Sequence, residues 1–329
     1  MYNEQIKSAF IQKYTTSDKT KKLLLHIFDG TKDAEEKYGR DFYEMDVEQA
    51  QETYNRISGI KVAGASATLM ILKAYVRWCR ANGYHVSDAV DRLRIDVYEK
   101  IKDSYVASPQ HLLRAMDEAF PHPEKNEIEY IYRSFFWLGF MGFQVNEAIQ
   151  VKDYMLDFKR LVLVYPDRDA PYRIYSESVG DLRKAVELKE FKDPRPGEAS
   201  VKKRTPGHEI LRGKVSKNSL ADVVERTFRP TISRAFKAAV ERYAEQRIEV
   251  PVDLSLKLSY KHVYMSGIFY RTYERERMGL PPDFGTIVVE ERRNAKEPSF
   301  SRNYTERKLL NILIRNIEQD YNNWKSVFS

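Results

Sequence analysis

The apolar run from Phe135 to Phe143 is the feature of this sequence that most constrains its fold. It places Phe136, Trp137 and Leu138 in succession, so no side of the segment is polar. A helix that is apolar all round must be enclosed by protein or lipid. The run is about half as long as the roughly 20 residues that a membrane-spanning helix needs. The sequence therefore predicts a helix inside a globular core and no membrane partner.

Composition limits the classes of protein that this chain can represent. Its 329 residues suit two domains better than one, and 42% hydrophobic residues supply ample core material. The single cysteine, Cys79, excludes an intramolecular disulfide and a multi-cysteine zinc site. The first residues lack a basic segment followed by an apolar one, so we expect a cytoplasmic protein. No Gly-rich phosphate loop or His-Glu-x-x-His motif occurs, so we expect no cofactor and no metal.

Helical signals dominate residues 1–85, which we interpret as the first domain. Ser17 and Asp46 are typical N-caps, and Gly30 predicts the end of the helix that Ser17 begins. A further helix is predicted over 65–81, where apolar residues recur at helical spacing. Lys73, Arg77 and Arg80 form a basic row on another side of this helix. Such a row usually meets water, but a helix laid along a phosphate backbone has the same pattern.

Residues 86–107 are charged and weakly periodic, and they predict a linker before a second domain over 108–329. Ser108-Pro109 is a typical helix start. The segments 161–165 and 172–175 predict β-strands, and most of the remaining residues predict helices. The sequence thus indicates a mainly α protein with a small antiparallel sheet, an α+β pattern.

The positive charge of the chain is local. The net charge is +7, and the stretch from Lys202 to Lys237 alone contains ten basic and three acidic residues. Part of it, 193–213, is rich in Pro and Gly and is predicted to be a basic loop. This distribution favours binding of a polyanion, with a merely solvated surface as the alternative.

Four segments of the chain, taken together, follow the pattern of a known family. The helix from Ser66 to Gly83 ends in Asn-Gly, and 136–148 is an apolar helix followed by a turn that contains Gln144 and Glu147. Arg173-Ile174-Tyr175 is a short strand, and 258–267 begins a helix at Ser259. Together these segments resemble the tyrosine recombinases, or phage integrases. The resemblance extends over nearly the whole chain.

The resemblance implies a helical SAM-like core-binding domain that grips DNA, followed by a tyrosine-recombinase-like catalytic domain. In that family, two arginines clamp the scissile phosphate, a hairpin lysine protonates the leaving oxygen, and a tyrosine attacks the phosphorus. Here Gln144 occupies the first arginine position, and Asp167-Arg168-Asp169 stands where the lysine is expected. Neither alignment of Lys261 or His262 with the family's His-x-x-Arg box supplies the second arginine. Arg271, further along that helix, is the remaining candidate for the second arginine.

Two tyrosines near the end of the chain, Tyr304 and Tyr321, are candidates for the nucleophile or for purely structural roles. The resemblance also implies a clamp on double-stranded DNA and a dimer or tetramer on DNA. Residues 306–329 then either extend to a neighbouring copy or pack on their own domain. The predicted function is a DNA-binding protein of phage or mobile-element origin with impaired strand cleavage.

The predicted phosphate contacts lie on the helix over 65–81 and in the stretch from Lys202 to Lys237. They are Lys73, Arg77, Arg80, Lys202, Lys203, Arg204, Arg212, Lys214, Arg234 and Lys237. Two alternatives stay open. One is an active, divergent integrase that forms a 3′-phosphotyrosine. The other is an interaction protein that keeps only the scaffold and does not bind DNA.

Overall fold

The computed structural model describes residues 1–58, 62–95, 98–121, 123–166, 168, 170–192, 201–204, 206–212, 219–251, 254–292 and 305–329. Within these ranges the protein is mainly helical and contains one three-stranded antiparallel sheet, which confirms the predicted fold class. The chain divides into two compact units, Met1–Lys100 and Ile101–Ser329. The predicted linker 86–107 is divided between them, and the proposed domain boundaries stay a prediction.

Helices build unit 1 over its described residues. They are α1 (Glu4–Tyr14), α2 (Asp18–Tyr38), a 3-10 turn (Phe42–Glu44), α3 (Val47–Ile57), α4 (Val62–Ala81) and α5 (Ala89–Arg92), with α6 (Tyr98–Ser104) at the boundary. Ser17 caps α2 and Asp46 caps α3, as predicted. The core joins Phe10, Phe28 and Tyr75, and the ring centroids of the last two lie 4.9 Å apart. Helices α1, α2 and α4, which carry these residues, therefore meet in one aromatic cluster.

The prediction that Gly30 ends a helix is wrong. Helix α2 continues through it to Tyr38, and Gly39 follows in the left-handed conformation. A Cβ on Gly30 would lie 2.9 Å from the Cγ2 of Ile57, so this glycine lets α3 approach α2 closely. Glycine inside a helix costs up to about 1 kcal/mol relative to alanine, and close packing offsets that cost here.

Charged side chains are also buried in unit 1. The ammonium of Lys7 lies 2.5 Å from a carboxylate oxygen of Glu35 and 4.0 Å from one of Asp41, and all three side chains are fully buried. The Tyr75 hydroxyl donates to Asp41 at 3.1 Å, and the Thr31 hydroxyl donates to Glu35 at 2.9 Å. Buried charges need such partners, because water is no longer present to solvate them.

Unit 2 has more elements. In chain order the described ones are α7 (Pro109–Ala119), α8 (Glu129–Met141), α9 (Val145–Ala148), β1 (Leu156–Asp157), β2 (Val162–Leu163), β3 (Tyr172–Arg173), α10 (Val179–Glu187), β4 (Glu190–Lys192), β5 (Val201–Lys203), α11 (Leu220–Val223), α12 (Arg229–Glu245), α13 (Tyr260–Arg277), α14 (Phe284–Arg292) and α15 (Glu306–Phe328). A π-helical turn over Val224–Phe228 joins α11 to α12.

Helix α8 is the centre of unit 2, and all its residues from Ile131 to Met141 are buried. It crosses α13 closely, because a Cβ on Gly267 would lie 1.8 Å from the carbonyl oxygen of Phe140. The Tyr260 ring packs on Gly139, and its hydroxyl donates to the Phe143 carbonyl at 2.7 Å. The apolar run is thus core, as predicted, and α13 positions its side chains against the end of α8.

Two small sheets complete unit 2. Strands β1, β2 and β3 pair in that order, and Val162 faces Arg173 across the second pair. Strands β4 and β5 form a separate antiparallel pair in which Phe191 faces Lys202. Lys202 and Lys203 therefore lie in a strand, which corrects the prediction of a loop at these two positions. Residues 193–200, 205 and 213 of the predicted basic loop lie outside the described ranges.

Helix α15 packs on its own unit in this structure. Trp324 is buried, and its Nε1 donates to the Val106 carbonyl at 3.1 Å. Tyr321 lies against Phe269 of α13, with ring centroids 5.9 Å apart. Of the two arrangements considered for 306–329, the single chain adopts the packed one.

Candidate functional site

Helix α4 presents a basic face to solvent. Its apolar stripe, which includes Leu69, Leu72 and Cys79, is buried in unit 1, so the opposite side is open. Arg77 is exposed and Lys73 is half-buried on this open side. The 20 residues of α4 contain no Asp or Glu. The helix therefore carries only positive formal charge.

The three cations of α4 differ in their partners. Arg80 forms an ion pair with Asp88 at 3.1 Å. Among the described residues, neither Lys73 nor Arg77 lies within ion-pair distance of a carboxylate. Cations on an open face that lack a carboxylate partner can bind a phosphate readily, because no ion pair must be broken first.

Arg204 is the clearest correction among the predicted phosphate contacts. Its side chain is buried, and its guanidinium donates to the carbonyls of Leu188 at 2.7 Å, Ile210 at 2.6 Å and Arg212 at 2.9 Å, and also to Ala185. Burial, together with the neighbouring Arg212, lowers the pKa of Arg204 to about 9. Ala185 and Leu188 lie at the end of α10, where carbonyls lack partners within the helix. Arg204 thus fastens Ile210 and Arg212 to the end of α10 and is not available to DNA.

The other described unit 2 residues predicted to contact phosphate are more accessible, although some already have a partner within the protein. Lys203 is exposed on β5, and Arg212 donates to the Glu209 carbonyl at 2.8 Å. On α12, Arg234 is exposed, and Lys237 forms an ion pair with Glu241 at 3.5 Å. The side chain of Lys202 and all of Lys214 lie outside the described residues.

A polar cluster surrounds the turn after α8, where the resemblance expects the first arginine. Gln144 caps α9, and its backbone N–H donates to Glu147 at 3.0 Å. The guanidinium of Arg168, on the loop between β2 and β3, forms an ion pair with Glu147 and lies 6.0 Å from the Tyr172 ring. Arg168 is not among the predicted site residues, although its place between two aspartates is the position where the resemblance expects a lysine.

Arg271 reaches the same turn from α13. Its Nη1 donates to the Phe140 carbonyl at 2.6 Å. A Cβ on Gly142, which has a φ of +106°, would lie 2.7 Å from Nη2 of Arg271. Burial raises the pKa of the Tyr172 phenol, and this effect outweighs the nearby Arg168 and Arg271 guanidiniums, which act to lower it. Arg168 and Arg271 therefore converge beside Tyr172, and each already holds an acceptor of the protein.

Lys261 and His262 do not join this cluster. They lie at the start of α13, where Lys261 is exposed and the His262 ring contacts Tyr105 with centroids 5.2 Å apart. Ten residues separate Lys261 from Arg271, which corresponds to about 15 Å along a helix axis. Lys261 and His262 of the second box are thus separated along α13 from Arg271, the candidate beyond the box.

The candidate nucleophiles are also placed unequally. Tyr321 is buried, and its hydroxyl donates to Glu276 at 2.6 Å. Burial and the Glu276 carboxylate raise the pKa of Tyr321 above its ordinary value. A phenol attacks as the phenolate, so this environment opposes its use as a nucleophile. Tyr304 lies outside the described residues.

The described ranges also bear on metal-dependent and membrane-spanning classes of protein. They contain no group of three or more His, Cys, Asp or Glu side chains arranged to hold a metal ion. None of the helices in these ranges has the length and apolar character that crossing a membrane requires.

Comparison with known proteins gives one family match. Residues 1–81 match the family described as the MrpR N-terminal core-binding domain, a tyrosine-recombinase-like core-binding domain. The matched segment covers α1 to α4 and contains Lys73, Arg77 and Arg80. No curated protein gave a significant match to the chain.

Proposed function

We propose that this protein binds double-stranded DNA through phosphate contacts from α4, and that its recombinase-like second domain is impaired in strand cleavage. The observation that carries the proposal is the basic face of α4. This helix has no acidic residue and belongs to a segment similar to a core-binding domain. Phosphates attract such a face regardless of base sequence.

Unit 2 supplies the secondary contacts in this proposal. Lys203, Arg234 and Lys237 are exposed, and Arg212 is half-buried. We keep Lys202 and Lys214 in the set on the basis of the sequence alone and leave Arg204 out. Assembly into a dimer or tetramer on DNA, and an origin in a phage or mobile element, remain proposals that rest on the resemblance.

Impaired cleavage is supported by the polar cluster after α8. Gln144 has no charge, and Arg168 is neutralised by Glu147. The guanidinium of Arg271 is committed to the Phe140 carbonyl. Stabilising the charge that develops on a phosphate requires donors aimed at the phosphate, and loss of one such donor typically slows a reaction by about 100-fold or more.

The test is equilibrium binding of the full chain to a random-sequence 40-bp duplex at several salt concentrations. We expect a linear log–log plot, with each phosphate contact contributing about 0.9 to the slope. The double variant Lys73→Ala/Arg77→Ala should lower the slope by about 2. The matched control, Lys32→Ala/Arg56→Ala, removes two exposed cations that are paired with Glu36 and Asp33, and it should keep the wild-type slope.

Two results contradict the proposal. Absence of binding at low salt removes the DNA function and leaves an interaction scaffold that meets an acidic protein. Equal slopes for the double variant and its control remove α4 from the interface.

An active, divergent integrase is the second candidate, favoured by the convergence of Arg168 and Arg271 beside Tyr172. In that reaction the phenol oxygen attacks phosphorus, the 5′ oxygen leaves with a proton, and a 3′-phosphotyrosine forms. A nicked duplex incubated with the chain should then yield a covalent adduct that is lost in Tyr304→Phe or Tyr321→Phe. We expect no adduct.

A further inference from the structure

Met70 is the most exposed of the large hydrophobic residues in unit 1. It lies on α4 with 71% of its surface exposed. Single exposed apolar side chains are common and carry no meaning by themselves. The surroundings of this one on α4 combine small side chains with cations, and the helix contains no Asp or Glu.

The open face of α4 is ordered along the helix. Ala67 and Ala74, about one turn to either side of Met70, are small, so neither can cover the methionine side chain. Lys73 and Arg77 follow three and seven residues later, about 4.5 and 10.5 Å along the axis. The face thus presents one apolar side chain followed by two cations toward the C-terminal end of the helix.

The major groove of DNA complements this arrangement. It is about 12 Å wide and admits an α-helix, and phosphates line both of its edges. Within it, the C5 methyl group of thymine is the apolar feature that distinguishes one base from the others. Methionine is unbranched and polarisable, so it adapts its shape to such a contact.

We infer that Met70 is a specificity-determining residue that contacts thymine methyl groups in the major groove, while Lys73 and Arg77 hold the flanking phosphates. This inference rests on the proposed function and adds to it a preference among bases. Phosphate contacts alone give affinity without sequence preference, so the two contributions separate by experiment.

The experiment deletes the methyl group from the DNA and the thioether from the protein. Binding of the full chain is measured at one low salt concentration to a 40-bp alternating A·T duplex and to the same duplex with uracil replacing thymine. Wild type should bind the uracil duplex about fivefold more weakly, since one buried methyl group is lost at the contact. Met70→Ala should bind both duplexes equally, with the affinity of wild type for the uracil duplex.

Two variants serve as controls. Met278→Ala removes another exposed methionine, from unit 2, and Lys73→Ala removes a phosphate contact. Both should keep the wild-type ratio between the duplexes, although Lys73→Ala weakens each of them. This result would show that the ratio reports the methyl contact and not a difference in duplex shape.

The outcomes distinguish the inference from its premise. If neither duplex is bound by any variant, the proposed function fails and the inference fails with it. If both are bound with a salt dependence but Met70→Ala keeps the wild-type ratio, or wild type shows no preference, DNA binding stands and the role of Met70 is refuted. In that case the exposed methionine is better explained as a contact for a protein partner.

Discussion

Lys7 of unit 1 and Arg204 of unit 2 are both buried cations, and they differ in what surrounds them. In unit 1, Lys7 lies between the carboxylates of Glu35 and Asp41. In unit 2, Arg204 is held by four backbone carbonyls, and among the described residues no carboxylate lies within ion-pair distance of it. A planar guanidinium presents five N–H donors in a fixed fork, so Arg204 can satisfy several carbonyls at once.

Within the described ranges, the cations proposed to contact phosphate differ in whether they are paired with a carboxylate, and paired and unpaired ones occur in both units. On α4, Lys73 and Arg77 have no carboxylate partner among the described residues, whereas on α12 Lys237 is paired with Glu241. The sequence makes the region from Lys202 to Lys237 look like the stronger polyanion site. A basic residue that is already bonded to a carboxylate or carbonyl is less available to a phosphate, so the number of basic residues alone does not identify a binding face.

Replacing Arg204 tests the structural half of this comparison and should have the largest effect. Arg204→Met leaves four carbonyls without donors, and unsatisfied buried polar groups cost about 1–3 kcal/mol each before relaxation. We expect a loss of about 3 kcal/mol or more in the free energy of unfolding, measured by urea denaturation of the full chain. Its neighbour Lys203 is exposed, so Lys203→Ala should change stability by less than about 0.5 kcal/mol. Equal stability of the two variants would show that Arg204 is dispensable.

The buried cluster around Lys7 predicts an unusual pH dependence of unit 1. Burial raises the pKa of Asp41 to about 6, although Lys7 acts to lower it and Glu35 adds to the rise. In the unfolded chain this carboxyl has its ordinary pKa near 3.9, so between about pH 4 and pH 6 the unfolded state releases the proton first. Asp41 therefore contributes stability when protonated, and this contribution is lost as the pH rises through 6.

The variant Asp41→Asn keeps the shape of the side chain and removes the titration. We expect the unfolding free energy of the variant, minus that of wild type, to increase by about 3 kcal/mol from pH 4 to pH 7. The difference removes the contribution of titrating groups that do not interact with Asp41. It is measured by hydrogen exchange of the amides of α1 and α2 during a urea titration. A difference that stays constant over this range would mean that Asp41 titrates alike in both states.

Local chemistry made much of the fold predictable. The all-apolar run of α8 had to be core, and Ser17, Asp46 and Ser108 cap helices because their side-chain oxygens satisfy N–H groups that lack partners within the helix. Gly30 was misread because a glycine that ends a helix and a glycine that admits a neighbouring helix look the same in sequence. Only the contact with Ile57 separates them.

The candidate site was predictable to the extent that it follows helical periodicity. Lys73 and Arg77 lie opposite the buried stripe of α4, and a helical pattern is enough to place them there. Arg204 and Arg168 depend on groups that only the tertiary fold brings near. Arg204 meets carbonyls at the end of α10, and Arg168 meets a glutamate 21 residues before it. No spacing rule encodes such pairs.

The smallest expected effect converts the α12 face into one like that of α4. Glu241→Gln removes the carboxylate that is paired with Lys237, so the lysine no longer exchanges one anion for another when DNA binds. Exposed pairs of this spacing contribute only about 0.3–0.5 kcal/mol, so we expect affinity for the random 40-bp duplex to rise about twofold at low salt. The gain should vanish in Glu241→Gln/Lys237→Ala, because the carboxylate acts through the lysine. An equal gain in both variants would instead indicate simple repulsion between Glu241 and DNA, and Lys237 would then lose its place among the phosphate contacts.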